Sequence, residues 1–163
     1  MTAPDLHPAL LPLAFLLGTW RGEGVGGFPT IGDFRYGEEV TFSHTGKPVL
    51  HYTQRTWLLD TGEPAHAEAG YWRPQPDGSL EVVLAHPIGV AEIYIGTVTG
   101  TRIELRTDAV VRTATAIEVT ALTRLYGLVE GKLMYALDMA AVGHPLQPHL
   151  SATLERAAPA PAT

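Results

Sequence analysis

The chain has 163 residues, 45% of them apolar and 17% charged, which suits one folded domain around one core and excludes an intrinsically disordered chain. Its net charge of −6, with no cluster of Lys or Arg, excludes a nucleic-acid binder, which needs a basic face to displace counterions from phosphates. Cysteine is absent, so there is no disulfide framework, thiolate nucleophile or Cys-ligated metal.

Residues Met1 to Pro8 read as a lead-in. Leu10, Leu11, Ala14, Phe15 and Leu17 recur at helical spacing, predicting a short helix from Pro8 to Leu17 with Pro in its first turn and Gly18 as its stop. The apolar run Ala9 to Leu17 is shorter than the roughly 20 residues a membrane helix needs, and Pro12 interrupts it. It also lacks the basic lead of a signal peptide, since Asp5 stands there. The expected compartment is the cytoplasm, with no membrane partner.

From there the pattern turns to strands. Residues Glu39 to Ser43, His51 to Trp57, Leu80 to Ala85, Ala91 to Val98, Arg102 to Arg106, Ile117 to Leu125 and Lys132 to Met139 alternate with a period near two. Turn signals separate them at Gly46, Gly62, Gly78, Gly100 and Gly131. Roughly ten short strands without helical crossovers predict an all-β, antiparallel up-and-down barrel of the lipocalin and fatty-acid-binding type. The barrel is expected over residues 8–156, followed by a disordered Ala/Pro-rich tail over 157–163. Apolar outer faces offer a surface for a homodimer.

Seven histidines against the two lysines Lys47 and Lys132 make imidazole the first candidate for chemistry. No two histidines share the i, i+4 spacing of a zinc-binding helix, and no His-x-His lies on one strand face, so spacing gives a conventional zinc site little support. A single imidazole can still ligate haem iron. Gly22 to Gly27 is glycine-rich but runs into Phe28-Pro29-Thr30 rather than a helix, so it is no phosphate cradle. Glu38 and Glu39 point to opposite faces of one strand, and both read as solvated or as partners of Arg35 and Arg55.

The stretch Gly18-Thr19-Trp20-Arg21-Gly22-Glu23-Gly24, then Pro29-Thr30-Ile31, the Phe42 to Pro48 turn, His66 to Tyr71, and Pro145-Leu146-Gln147-Pro148-His149 occur in this order. Together they resemble the nitrobindin family of small haem-binding β-barrels, over about Pro8 to Arg156. The resemblance implies one ferric haem b per chain, with His149 as the iron ligand and Thr30 and Met139 against the cofactor. It also implies that the protein binds NO and isomerises peroxynitrite to nitrate. His66 and His86 fall on the cavity wall by the same likeness, where they could assist a distal ligand, and His144 is expected to be mainly surface-exposed. Gly18, Trp20, Gly22 and Gly24 form a structural motif, Trp20 plugging one barrel end. The rival reading is a haem-free carrier of a small apolar ligand such as a fatty acid.

Overall fold

The computed structural model describes residues 2–157. The tail expected over 157–163 therefore lies outside the described residues, except for Ala157, whose N–H donates to the Thr19 carbonyl at 2.9 Å. A helix over Pro8–Leu16 leads into ten strands: β1 (Gly18–Phe28), β2 (Ile31–Ser43), β3 (Leu50–Leu58), β4 (Pro64–Pro74), β5 (Ser79–His86), β6 (Val90–Thr99), β7 (Arg102–Arg112), β8 (Val119–Val129), β9 (Lys132–Ala141) and β10 (His144–Arg156). Each strand pairs antiparallel with its sequence neighbours, and β1 closes on β10. The expected up-and-down barrel is the observed fold, and closure leaves no unpaired edge.

The helix is 3₁₀ rather than α. Pro12 has no N–H for an i→i−4 ladder, and the buried residues Leu10, Leu13 and Leu16 follow the three-residue turn of a 3₁₀ helix. The buried face therefore differs from the one that α-helical spacing suggested. Trp20 is fully buried beside it and donates from Nε1 to the Leu16 carbonyl at 2.8 Å. The Arg156 guanidinium lies 4.3 Å from the centre of the Trp20 ring and donates to the carbonyls of Phe15 and Leu17 at 2.7 and 2.6 Å. This knot packs the helix against the start of β1 and the end of β10.

Strands β1 and β4 carry weak alternation, because glycines thin their inward faces. At Gly24 a Cβ would lie 2.6 Å from the Ser151 carbonyl oxygen and also collide with the Tyr36 ring. The missing side chain is what lets Tyr36 cross β1 inside the barrel. The opposite end stays open. Among the described residues no helix is long and apolar enough to cross a membrane.

Candidate functional site

Inside the open end lies a cavity of about 360 Å³, within the usual range for small-molecule sites. Its wall is mainly apolar, and Phe28, Leu58, Val90, Val119 and Leu137 all contribute to it. His149, His66, His86, Met139 and Thr30 also line this cavity. All five residues nominated for the cofactor or its surroundings thus face one space. His144 does not; it is half-buried at the start of β10, its ring edge-on to Phe28 at 5.7 Å.

His149 reaches the cavity through two coincident irregularities. Pairing of β10 with β9 slips between Pro148 and Leu150, and pairing of β1 with β2 slips between Gly26 and Phe28. His149 and Gly27 are the residues at these two slips, and bulges re-aim side chains in this way. Across the gap His149 Nδ1 meets the Gly27 carbonyl oxygen at 2.9 Å. A carbonyl only accepts, so Nδ1 carries the hydrogen and Nε2 keeps a free lone pair. The Phe28 ring braces the imidazole edge-on at 5.6 Å.

The opposite wall differs in kind. In the closed ring β5 lies five strands from β10 in either direction, so His86 stands across the barrel from His149. His86 Nδ1 is 3.0 Å from His66 Nε2. Glu92 Oε2 lies 2.9 Å from His86 Nε2, but that nitrogen makes no hydrogen bond. Burial pushes the His66 imidazole below its ordinary pKa, against the opposite pull of Glu68.

Beneath the histidines a polar layer crosses the barrel. Arg124 donates from Nη1 and Nη2 to the two Glu68 oxygens at 2.6 and 3.1 Å, and from Nε to the Tyr94 hydroxyl at 2.9 Å. Tyr52 donates to Glu68, and Tyr94 to Glu92, each at 2.6 Å. Burial alone would raise the Glu68 carboxyl, but the Arg124 charge and hydrogen bonds outweigh it and hold the group at about 2. Glu38 sits apart from Arg124 in the same layer, taking hydrogen bonds from Tyr135 at 2.6 Å and from Gln54 at 3.4 Å. Burial pushes its carboxyl up to about 7.

Glu38 therefore corrects the sequence reading. It is 1% exposed and faces inward, while only Glu39 is a surface carboxylate, bonded to Arg55 at 3.1 Å and Arg21 at 2.8 Å. Glu68, Glu92 and Arg124 escaped notice altogether. Their signal was present, since each is a charge at an inward position of an alternating strand: Glu68 two residues after His66, Glu92 between Val90 and Tyr94, Arg124 between Leu122 and Tyr126.

A family model described as "THAP4-like, heme-binding beta-barrel domain" matches residues 9–156. The chain belongs to this family. It is 55% identical to a protein of Parafrankia sp. named "Peroxynitrite isomerase", over 93% of this chain and 81% of that one. It is 50% identical to a "Ferric nitrobindin-like protein" of Kineococcus radiotolerans, covering 93% and 95% of the two chains. The crystal structure of Rv2717c from M. tuberculosis superposes with a TM-score of 0.88 at 50% identity, over 94% of this chain and all of that one. The haem expected of the family fits the residues present: an apolar cavity, open at one end, with one imidazole whose second nitrogen is held and whose first is free.

Proposed function

We propose that the chain holds one ferric haem b, for which His149 Nε2 would be the protein ligand to the iron, isomerises peroxynitrite to nitrate, and binds NO. The observation that carries this reading is the 2.9 Å contact between His149 Nδ1 and the Gly27 carbonyl. It fixes the tautomer and ring plane as outer partners of metal-ligating histidines do. A bound haem would supply Lewis-acid chemistry toward the peroxynitrite anion. The chain's own part is to hold and exclude. His149 would anchor the cofactor, Met139 and Thr30, which line the same cavity, would flank it, and the apolar wall would limit water and competing reactions. His66, half-buried on the facing wall, offers a ring nitrogen to a small anion, with His86 behind it. The relatives named for peroxynitrite isomerisation support the reaction.

The test is absorbance of the protein with haem added, before and after dithionite and NO, beside His149→Ala. A sharp, stoichiometric Soret band in the wild type should be lost in the variant. A full band in His149→Ala would overturn the ligand assignment. No stoichiometric band in the wild type would turn the reading to a carrier of a small apolar molecule.

A further inference from the structure

Three potential ligand atoms converge on the wall facing His149. His66 Nε2 and His86 Nδ1 are 3.0 Å apart. Glu68 Oε2 is 3.9 Å from the first and 3.5 Å from the second. Donors bound tetrahedrally at about 2.0–2.1 Å stand roughly 3.4 Å from one another, so this triangle already has the size of one face of a metal site. We propose that His66, His86 and Glu68 form a second metal site in the cavity, for a divalent first-row transition ion of the zinc or ferrous type.

Charge favours a cation here. Two buried carboxyl groups, Glu68 and Glu92, share the single guanidinium of Arg124, which leaves one formal negative charge to be matched in a layer where burying an unpaired charge is costly. Ligand chemistry chooses the ion: two imidazoles and one carboxylate suit zinc or ferrous iron rather than calcium or magnesium. The outer partners are in place as well. Arg124 and Tyr52 orient Glu68 through hydrogen bonds, and the Glu92 carboxylate lies 2.9 Å from the far nitrogen of His86 without bonding it. Arg124 Nη2 takes only one of the two lone-pair directions of Glu68 Oε2. His66 is 32% exposed and opens on the cavity, giving an ion its way in. Three protein ligands leave a fourth position, as in open zinc sites. That position faces the cavity, where it would take a small oxyanion or water. No spacing rule on a single element could find this site, because its ligands come from two paired strands.

The site uses none of the residues that anchor the haem, so it is tested on haem-free protein stripped with chelator and titrated with CoCl₂, then ZnCl₂. One cobalt per chain should bind with visible absorption bands and be displaced by one zinc. His66→Ala and His86→Ala should each weaken binding by more than the roughly 10–100-fold that loss of an outer partner costs, and Glu92→Gln, which removes a nearby negative charge, should weaken it less. His149→Ala should bind cobalt unchanged. The half-exposed His66 makes His66→Ala the safer variant to fold, and circular dichroism checks each one. No stoichiometric cobalt binding by folded wild type overturns the proposal. So does cobalt that survives His66→Ala and is lost in His149→Ala. The Soret test above is read separately, so either reading can fail alone.

Discussion

The two walls of the cavity are built on opposite principles. On the β10 side one imidazole stands among apolar neighbours, fixed through a single backbone carbonyl. On the β4 to β6 side and beneath it, nearly every polar group is engaged with another: Arg124 with Glu68 and Tyr94, Tyr94 with Glu92, Tyr135 with Glu38. A group whose hydrogen-bonding capacity is met by the protein is held in place, whereas a group with an unused lone pair aimed into a cavity is free to bind. The first wall thus reads as the haem's ligand and the second as a frame, at whose edge His66, His86 and Glu68 make the proposed cation site.

Breaking the frame should cost the most stability. Arg124→Leu leaves Glu68 and Glu92 buried without their cation, and we expect a loss of about 3–5 kcal/mol in urea unfolding. The His149 wall is untouched, so the folded fraction should still form a Soret band; loss of haem from folded protein would mean the walls are not independent. Next comes the pH response. Burial keeps the Glu38 carboxyl at about 7, above its ordinary 4.5, so the folded chain holds a proton that the unfolded chain releases. Its contribution is complete below about 4.5 and is lost as pH rises through 7, on the order of 3 kcal/mol. Glu68, held at about 2, acts in the reverse sense, its contribution present above 4.5 and lost as pH falls toward 2. In Glu38→Gln, unfolding free energy measured from pH 5 to 8 should lose this decline; an unchanged slope would remove Glu38 as its source. The smallest effect belongs to the sparse wall. Phe28→Leu removes the edge-on brace from both His144 and His149 and should lower stability by about 1 kcal/mol. The accompanying sign is a broader His149 ring signal by NMR.

The strands were readable wherever one face was apolar, as in β3, β5 and β9. Period-two alternation is a direct consequence of side chains pointing to opposite faces. It failed at β1, where five glycines fall within Gly18–Phe28, since glycine has no side chain to carry a pattern. His149 was legible through the likeness of Pro145 to His149 to a family motif. Its orientation was not, because the carbonyl that sets it belongs to Gly27, 122 positions earlier. Glu38 was misplaced for a related reason. Adjacent residues must face opposite ways, but which of the pair faces inward depends on the register of β2 against its neighbours, where a shift of one residue exchanges the faces.

Composition and alternation by themselves determined a closed antiparallel barrel with one core, because these depend on local periodicity and on the need to pair every strand edge. The tertiary structure alone decided how the buried charges pair, which nitrogen of His149 is free, and that His66, His86 and Glu68 meet. Those outcomes depend on pairing register and strand bulges. Both are settled only when residues far apart in the chain are brought within hydrogen-bonding distance.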